Sequence, residues 1–478
     1  MTRRSKKILF LFFLILFLAA APLAIFYSFG WRIDFRGAKI IRPGIIYFKV
    51  LPKSCQIYVN GKAQKKTDFL FGSATVENLV AGRYSIEIKK DGFQTWQKNL
   101  DVAAASLTEL KDVVLFPDKL DLKILSKDVE LFFLSPDGKK IFTWEKNAPD
   151  PKNPGDAAIR SLKLIDAGKN IKSQLIEEKD FKKAAVRLLD LKPSPDSKIL
   201  LLKAIVSAKR PGSAKLEEAT EYYALKLEQS PILISLLPFS KRTITKIDFD
   251  PAKSQQLLFL DDKGLNRINL ADNGEESLLP KIVSFAVSGN NIYYLEESGG
   301  LFKTDSSFGP RDRINDENLQ IQKDSQYEIF PAPSHIALKE GRTLYLLQNQ
   351  KRIFERISDS AEDLVFSPDS KKAAYLSERE VNVLFLEDDN IQPRKKVGES
   401  LFITRFSERI NGIFWLTNRY LLLDAGGKIK AAEIDDRDKI NIFDLAETPD
   451  SKNLWNPTDR KIYSLREENL SSSQKVTP

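Results

Sequence analysis

Alternating apolar and polar positions dominate the chain, broken at intervals by one tight-turn phrase. In DLVFSPDSKKAAYL (363–376), Val365 and Phe366 are strand formers and Ser367-Pro368-Asp369-Ser370 is turn chemistry. Proline fixes φ there, and the aspartate bonds back to the local backbone. Lys371 and Lys372 are expected to face solvent, and 373–376 starts the next strand. The phrase returns as LFFLSPDGKKIFTW (131–144), LLDLKPSPDSKILLLK (188–203), IDFDPAKSQQLLFL (247–260), SFAVSGNNIYYL (284–295), HIALKEGRTLYLL (335–347), GIFWLTNRYLLL (412–423) and NLWNPTDRKIYSL (453–465). A third strand follows most copies. Asp137, Asp196 and Asp369 occupy matching turn positions.

Eight units over about 335 residues give a period of roughly 42, within the range of propeller blades. Short strand groups cannot bury both faces alone, and radial stacking of four-stranded sheets solves that problem. The phrase F-S-P-D-G/S-K-K resembles TolB-like and WD40-like propellers; it implies the fold and no ligand, and the Trp-Asp and Gly-His pairs of WD40 repeats are absent. A seven- or eight-bladed propeller is expected over 119–466. The eighth unit lacks a clear third strand, and LDLKIL (120–125) is the candidate to pair with it and close the ring. Unequal spacing places long polar loops at 146–158, 207–220 and 305–326, and 467–478 reads as a polar, disordered tail.

Ahead of the repeats, 45–116 carries a compact all-β pattern. Asn60-Gly61 is a strong hairpin signal. Ile86 and Ile88 alternate with Glu87 and Lys89. Short strands are expected at 67–71 and 74–76. Gly82 and Gly92 are expected to supply positive φ at strand turns. VNGK (59–62) followed by L-x-x-G-x-Y-x-I-x-I-x-K-x-G-F-x-x-W (79–96) resembles a PEGA domain, although Ala81 and Asp68 stand where that pattern has prolines. The resemblance implies a small extracytoplasmic β-sandwich over 44–117, found on bacterial and archaeal surface proteins, and no chemistry. Trp96 is expected as a core ring and Cys55 as a small buried hydrophobe.

At the N-terminus a basic stub (1–7, with Arg3, Arg4, Lys6 and Lys7) precedes an uncharged run over 8–29. About 20 apolar residues cross a bilayer as a helix. The run outlasts a signal-peptide core, and no lipoprotein cysteine follows it. A retained transmembrane signal anchor over 8–30 is therefore expected, with the lipid bilayer as its partner. By the positive-inside tendency the N-terminus would be cytoplasmic and the bulk extracytoplasmic, at the cell membrane.

Composition narrows the chemistry. One cysteine (Cys55) excludes an intrachain disulfide, and with one histidine (His335) it argues against a Cys/His zinc site. The net charge of +9 is diffuse, with no basic stripe and interleaved aromatics, so nucleic acid is not an expected partner. No P-loop, G-x-G-x-x-G or nucleophile elbow occurs. The recurrent aspartates read as turn formers. The acidic groups Asp388-Asp389 and Asp435-Asp436 with Asp438 read as solvated turns, calcium being the competing reading. No catalytic, metal or cofactor residue is assigned; Asn60, Gly61, Gly82, Gly92, Asp137, Asp196 and Asp369 are assigned structural turn roles. The expected function is a non-enzymatic envelope scaffold whose propeller face binds protein or glycan. The alternative is a propeller hydrolase acting on envelope glycan or peptide with carboxylates in its central funnel. A weaker option rests the basic residues of the small β unit on anionic lipid headgroups.

Overall fold

The computed structural model describes residues 3–28, 30–34, 39–147, 159–169, 171–209, 216–236 and 243–477. Helix α1 (Arg3–Ser28) leads to a short hairpin, β1 (Arg32–Asp34) with β2 (Lys39–Ile41). Seven strands then build a two-sheet sandwich: β3 (Gly44–Leu51), β4 (Gln56–Val59), β5 (Lys62–Lys66), β6 (Ser73–Leu79), β7 (Gly82–Lys89), β8 (Trp96–Val102) and β9 (Leu107–Val114). One sheet has the order β6-β3-β9, with β3 and β9 parallel; the other has the order β5-β4-β7-β8. Alternation sets the core, since Ile46, Phe48 and Val50 of β3 point inward while Lys49 and Leu51 point out.

The rest of the chain folds into eight four-stranded antiparallel sheets. Seven are continuous in sequence and occupy 129–177, 185–235, 246–280, 282–313, 327–358, 363–405 and 410–447. The eighth joins three strands of 452–473 to β10 (Leu122–Ser126), which pairs with Asn469–Ser473. Each interval between consecutive sheets holds one apolar cluster. Trp144, Leu162 and Phe181 meet Leu202 and Tyr223 between the first two. Phe385 meets Leu421 and Leu423 between the sixth and seventh. Val129, Phe132 and Ile141 meet Tyr463 and Leu470 between the first and the last. That last cluster makes the array a closed ring of eight blades.

Several expectations are corrected. The apolar run does form a helix, yet no helix among the described residues is long and apolar enough to cross a membrane. Basic residues fill the first turns of α1 and Pro22 divides the remainder, so the stretch free of both is shorter than the about 20 apolar residues a crossing needs. This overturns the transmembrane anchor over 8–30, the fold class that included it and the single-pass cell-membrane location. The expected disordered tail is also corrected, because Asn469–Ser473 is a strand and Leu470 and Val476 are fully buried. Residues 67–71 form a turn and not a strand. Gly82 opens β7 without a positive φ, whereas Gly92 (φ 78°), Gly61 (φ 73°) and Asn60 (φ 49°) adopt the left-handed region. Of the loop expected at 207–220, the long strands Ile199–Lys209 and Leu216–Lys226 take most. Most of the 146–158 loop lies outside the described residues.

Cys55 is buried and its thiol donates to the Pro52 carbonyl at 2.9 Å. Burial pushes its pKa up to about 11, with Lys90 and Lys66 only partly opposing. At pH 8 the folded protein then holds about two orders of magnitude less thiolate than an ordinary cysteine. Native protein should resist iodoacetamide at that pH and become modified in guanidinium, as read by intact mass. Rapid labelling of the folded chain would contradict this placement.

Candidate binding cleft at the joint of the two β units

Strand β8 alternates cleanly, with Trp96, Lys98, Leu100 and Val102 inward and Gln97, Asn99 and Asp101 outward. A lysine in the apolar register needs a buried partner. Lys98 has one: its Nζ lies 2.7 Å from Glu433 Oε1 and donates to the carbonyls of Asp435 (2.6 Å), Arg437 (2.9 Å) and Lys439 (2.6 Å). Glu433 also accepts from Trp96 Nε1 at 2.8 Å and from the Asn441 N–H at 3.0 Å. Burial pushes the Glu433 carboxyl upward, against the opposing pull of the Lys98 charge and these donors. Glu433 belongs to the seventh blade, so the pair is the centre of a joint between sandwich and propeller.

The joint forms because β8 and β9 are the edges of their sheets, and an open edge leaves backbone groups unpaired. Propeller side chains cap them. Gln392 bonds the Glu109 N–H (3.0 Å) and the Leu107 carbonyl (3.0 Å), and Arg437 bonds the Glu109 carbonyl (3.0 Å). The Val114 N–H donates to the hydroxyl of Tyr420 (3.1 Å), and the Asn99 N–H donates to Asp438 (3.0 Å). Tyr420 packs edge-on against Phe116, and complete burial holds its phenol well above the usual range. One continuous apolar cluster joins Ile46, Phe48 and Ile88 of the sandwich to Leu422, Ile429 and Phe443 of the seventh blade.

Beside this joint lies a cleft of about 630 Å³. Its sandwich wall is Lys49 and Leu51 of β3 with Lys111 and Asp112 of β9; its propeller wall comes from loops of the sixth and seventh blades. The floor is charged. Arg419 grips Asp389 through two contacts, Nη1 to Oδ2 at 2.6 Å and Nη2 to Oδ1 at 2.8 Å. Lys372 was expected to face solvent and is instead buried, 3.5 Å from Asp369 and 3.8 Å from Asp389. Burial lowers its pKa, with Arg419 adding to the effect and the two aspartates opposing it. Lys371 and Glu387 pair at 3.0 Å on the rim. Five cationic and five anionic side chains line the space, so it carries strong local fields and no net charge.

The turn aspartates have one common local geometry. Ser135, Ser194 and Ser367 donate to Asp137, Asp196 and Asp369, each at 2.6 Å, and the same carboxylates accept the N–H groups of Lys139, Lys198 and Lys371. These bonds outweigh partial burial and hold Asp196 and Asp369 below the usual carboxylate range. Only Asp369 of the three lines the cleft. Asn60, Gly61, Gly82 and Gly92 lie on the sandwich, away from it. The acidic pairs are engaged in ion pairs, Asp389 with Arg419, Asp436 with Lys395 and Asp438 with Arg83. Among the described residues no group of three or more potential ligands could hold a metal.

The hydrolase alternative needs two converging carboxyl groups with raised pKa. Among the described residues two are raised, Asp424 and Glu433, both through burial. They stand apart on neighbouring strands, Asp424 facing Ile429 and Glu433 facing Tyr420, and each is engaged, Asp424 by Asn453 at 2.9 Å and Glu433 by Lys98. His335 is buried with Nε2 3.9 Å from Glu387, and burial lowers its pKa.

No family model and no curated protein matches the chain. Solved structures do. The β-propeller domain of Cps50 (Swd1) from Myceliophteria thermophila is 10% identical, with a TM-score of 0.38, over 75% of this chain and 100% of that one. A eukaryotic initiation factor is 12% identical, with a TM-score of 0.46, over 76% and 89%. Sqt1 of Saccharomyces cerevisiae is 11% identical, with a TM-score of 0.41, over 75% and 98%. Likenesses this loose carry no argument, and the ring rests on the strand pairing and apolar clusters of this chain.

Proposed function

We propose that this chain is a binding scaffold whose working site is the cleft between the sandwich and the sixth and seventh blades, and that it takes an extended protein segment of mixed charge. The observation that carries the reading is the charge-balanced lining, with Lys372, Arg419, Asp369 and Asp389 held at its floor by their mutual ion pairs. A site with donors and acceptors of both signs suits a peptide backbone flanked by acidic and basic side chains. Glycan is the weaker ligand here. The one aromatic in the lining, Phe385, is buried and offers a sugar ring no stacking face. We read 44–117 as a PEGA-like unit on its motif order alone, acting as one wall of the site.

The test uses a fluorescent library of 15-residue peptides spanning charge patterns. Mixed-charge members should bind the full chain, and Lys49→Glu with Lys371→Glu, both exposed, should weaken them about tenfold, a change of about 1.4 kcal/mol. If no peptide distinguishes the wild-type chain from this variant, the cleft is not the site.

A further inference from the structure

The turn over 68–72 presents Phe69, Leu70 and Phe71 to solvent, at 73%, 57% and 71% exposure. Three consecutive large apolar side chains on a convex tip are a costly surface unless something covers them. The tip is also held stiffly. Asp68 accepts the N–H groups of Leu70 (2.9 Å), Phe71 (2.5 Å) and Ser73 (2.7 Å), and the Ser73 hydroxyl as well. Gly72, at φ 70°, bonds the Val50 N–H through its carbonyl, and a Cβ there would lie 2.4 Å from the Val50 carbonyl. The loop is therefore shaped to hold these side chains outward, not left there by fraying.

Lysines surround its base. The Cγ of Lys53 stands 3.4 Å from where a Cβ on Gly72 would lie, and Lys90 Nζ donates to the Lys53 carbonyl at 2.7 Å. Lys66 precedes the loop and, with Lys90, lies close enough to act on Cys55 beneath it. Lys49 is on the neighbouring stretch of β3, paired with Ser73 in register. The one carboxylate within the loop, Asp68, is committed to backbone and serine donors.

We propose that this loop is a peripheral lipid-binding tip: Phe69, Leu70 and Phe71 enter the headgroup–acyl boundary of an anionic bilayer while Lys53, Lys66 and Lys90 meet the headgroup phosphates. An apolar tip ringed by cations matches the layering of that surface, hydrocarbon inside and negative charge outside. A protein pocket would require a complementary cavity but no ring of lysines. The tip does not cross the bilayer, and the proposal makes no use of α1.

Because Cys55 is buried, Leu70→Cys places one reactive thiol on the tip for an environment-sensitive fluorophore in the full-length chain. Vesicles of phosphatidylserine and phosphatidylcholine should shift its emission to the blue. Pure phosphatidylcholine, or 0.5 M salt, should largely abolish the shift. Adding Phe69→Ser and Phe71→Ser should weaken vesicle partition about tenfold or more, and Lys53→Glu with Lys66→Glu should remove the preference for anionic lipid. No shift with either vesicle, or an equal shift with both, overturns the proposal.

Discussion

Removing residues 469–478 should abolish the folded propeller. Among the described residues the strand Asn469–Ser473 is the sole partner of β10, and it is the outer neighbour of Lys461–Arg466. Without it, β10 loses its ladder, Lys461–Arg466 loses one of its two, and the cluster of Val129, Phe132, Ile141 and Tyr463 is opened to water. Leu470 is fully buried in that cluster, so even Leu470→Ala should cost about 2–5 kcal/mol. The truncated chain is expected as aggregate by size exclusion, without a cooperative thermal transition. Wild-type melting of the truncated chain would remove the last blade from the ring.

The second large effect is expected at Lys98→Ala. The Lys98 side chain is 0% exposed and that of Glu433 4%. Deleting the lysine leaves a buried carboxylate and three carbonyls short of a donor. Loss of one partner of such a pair costs about 3–5 kcal/mol. Replacing both, by Lys98→Met with Glu433→Leu, removes the stranded charge and should recover part of that loss. It cannot recover all, since the carbonyls of Asp435, Arg437 and Lys439 remain unsatisfied. Guanidinium unfolding followed by tryptophan fluorescence and by circular dichroism measures both variants. Should Lys98→Ala unfold at the wild-type midpoint, the joint is held by its apolar contacts alone.

The repeating turn was legible because its chemistry is local: Ser, Pro, Asp and Lys within five positions complete their own hydrogen bonds. The third strand of the last blade was not, since NLSSS carries little strand preference and is defined by its pairing with β10. Apolar character at 67–71 suggested a strand, but Asp68 and Gly72 at its ends impose a turn. The joint left one signal. Lys98 stands in phase with Trp96, Leu100 and Val102, and a charge in that phase announces a partner elsewhere in the chain. Nothing local named Glu433. Lys372 was misread in part for the same reason: Asp369 shares its turn, but Asp389 and Arg419, which help enclose it, come from two other loops. The N-terminal helix was misread from apolar composition, with too little weight on Pro22 and the basic first turns.

The eighth blade also bears on how the molecule is made. On the ribosome, β10 emerges early and must wait, one edge bare, while nearly all of the remaining blades are translated. The circle stays a broken arc until Leu470 has been added. During that interval the nascent chain offers the bare edge of β10 to its neighbours, and a finished chain beside it can place its own Asn469–Ser473 there. Slow translation or crowded polysomes should therefore favour interlocked dimers over solitary wheels.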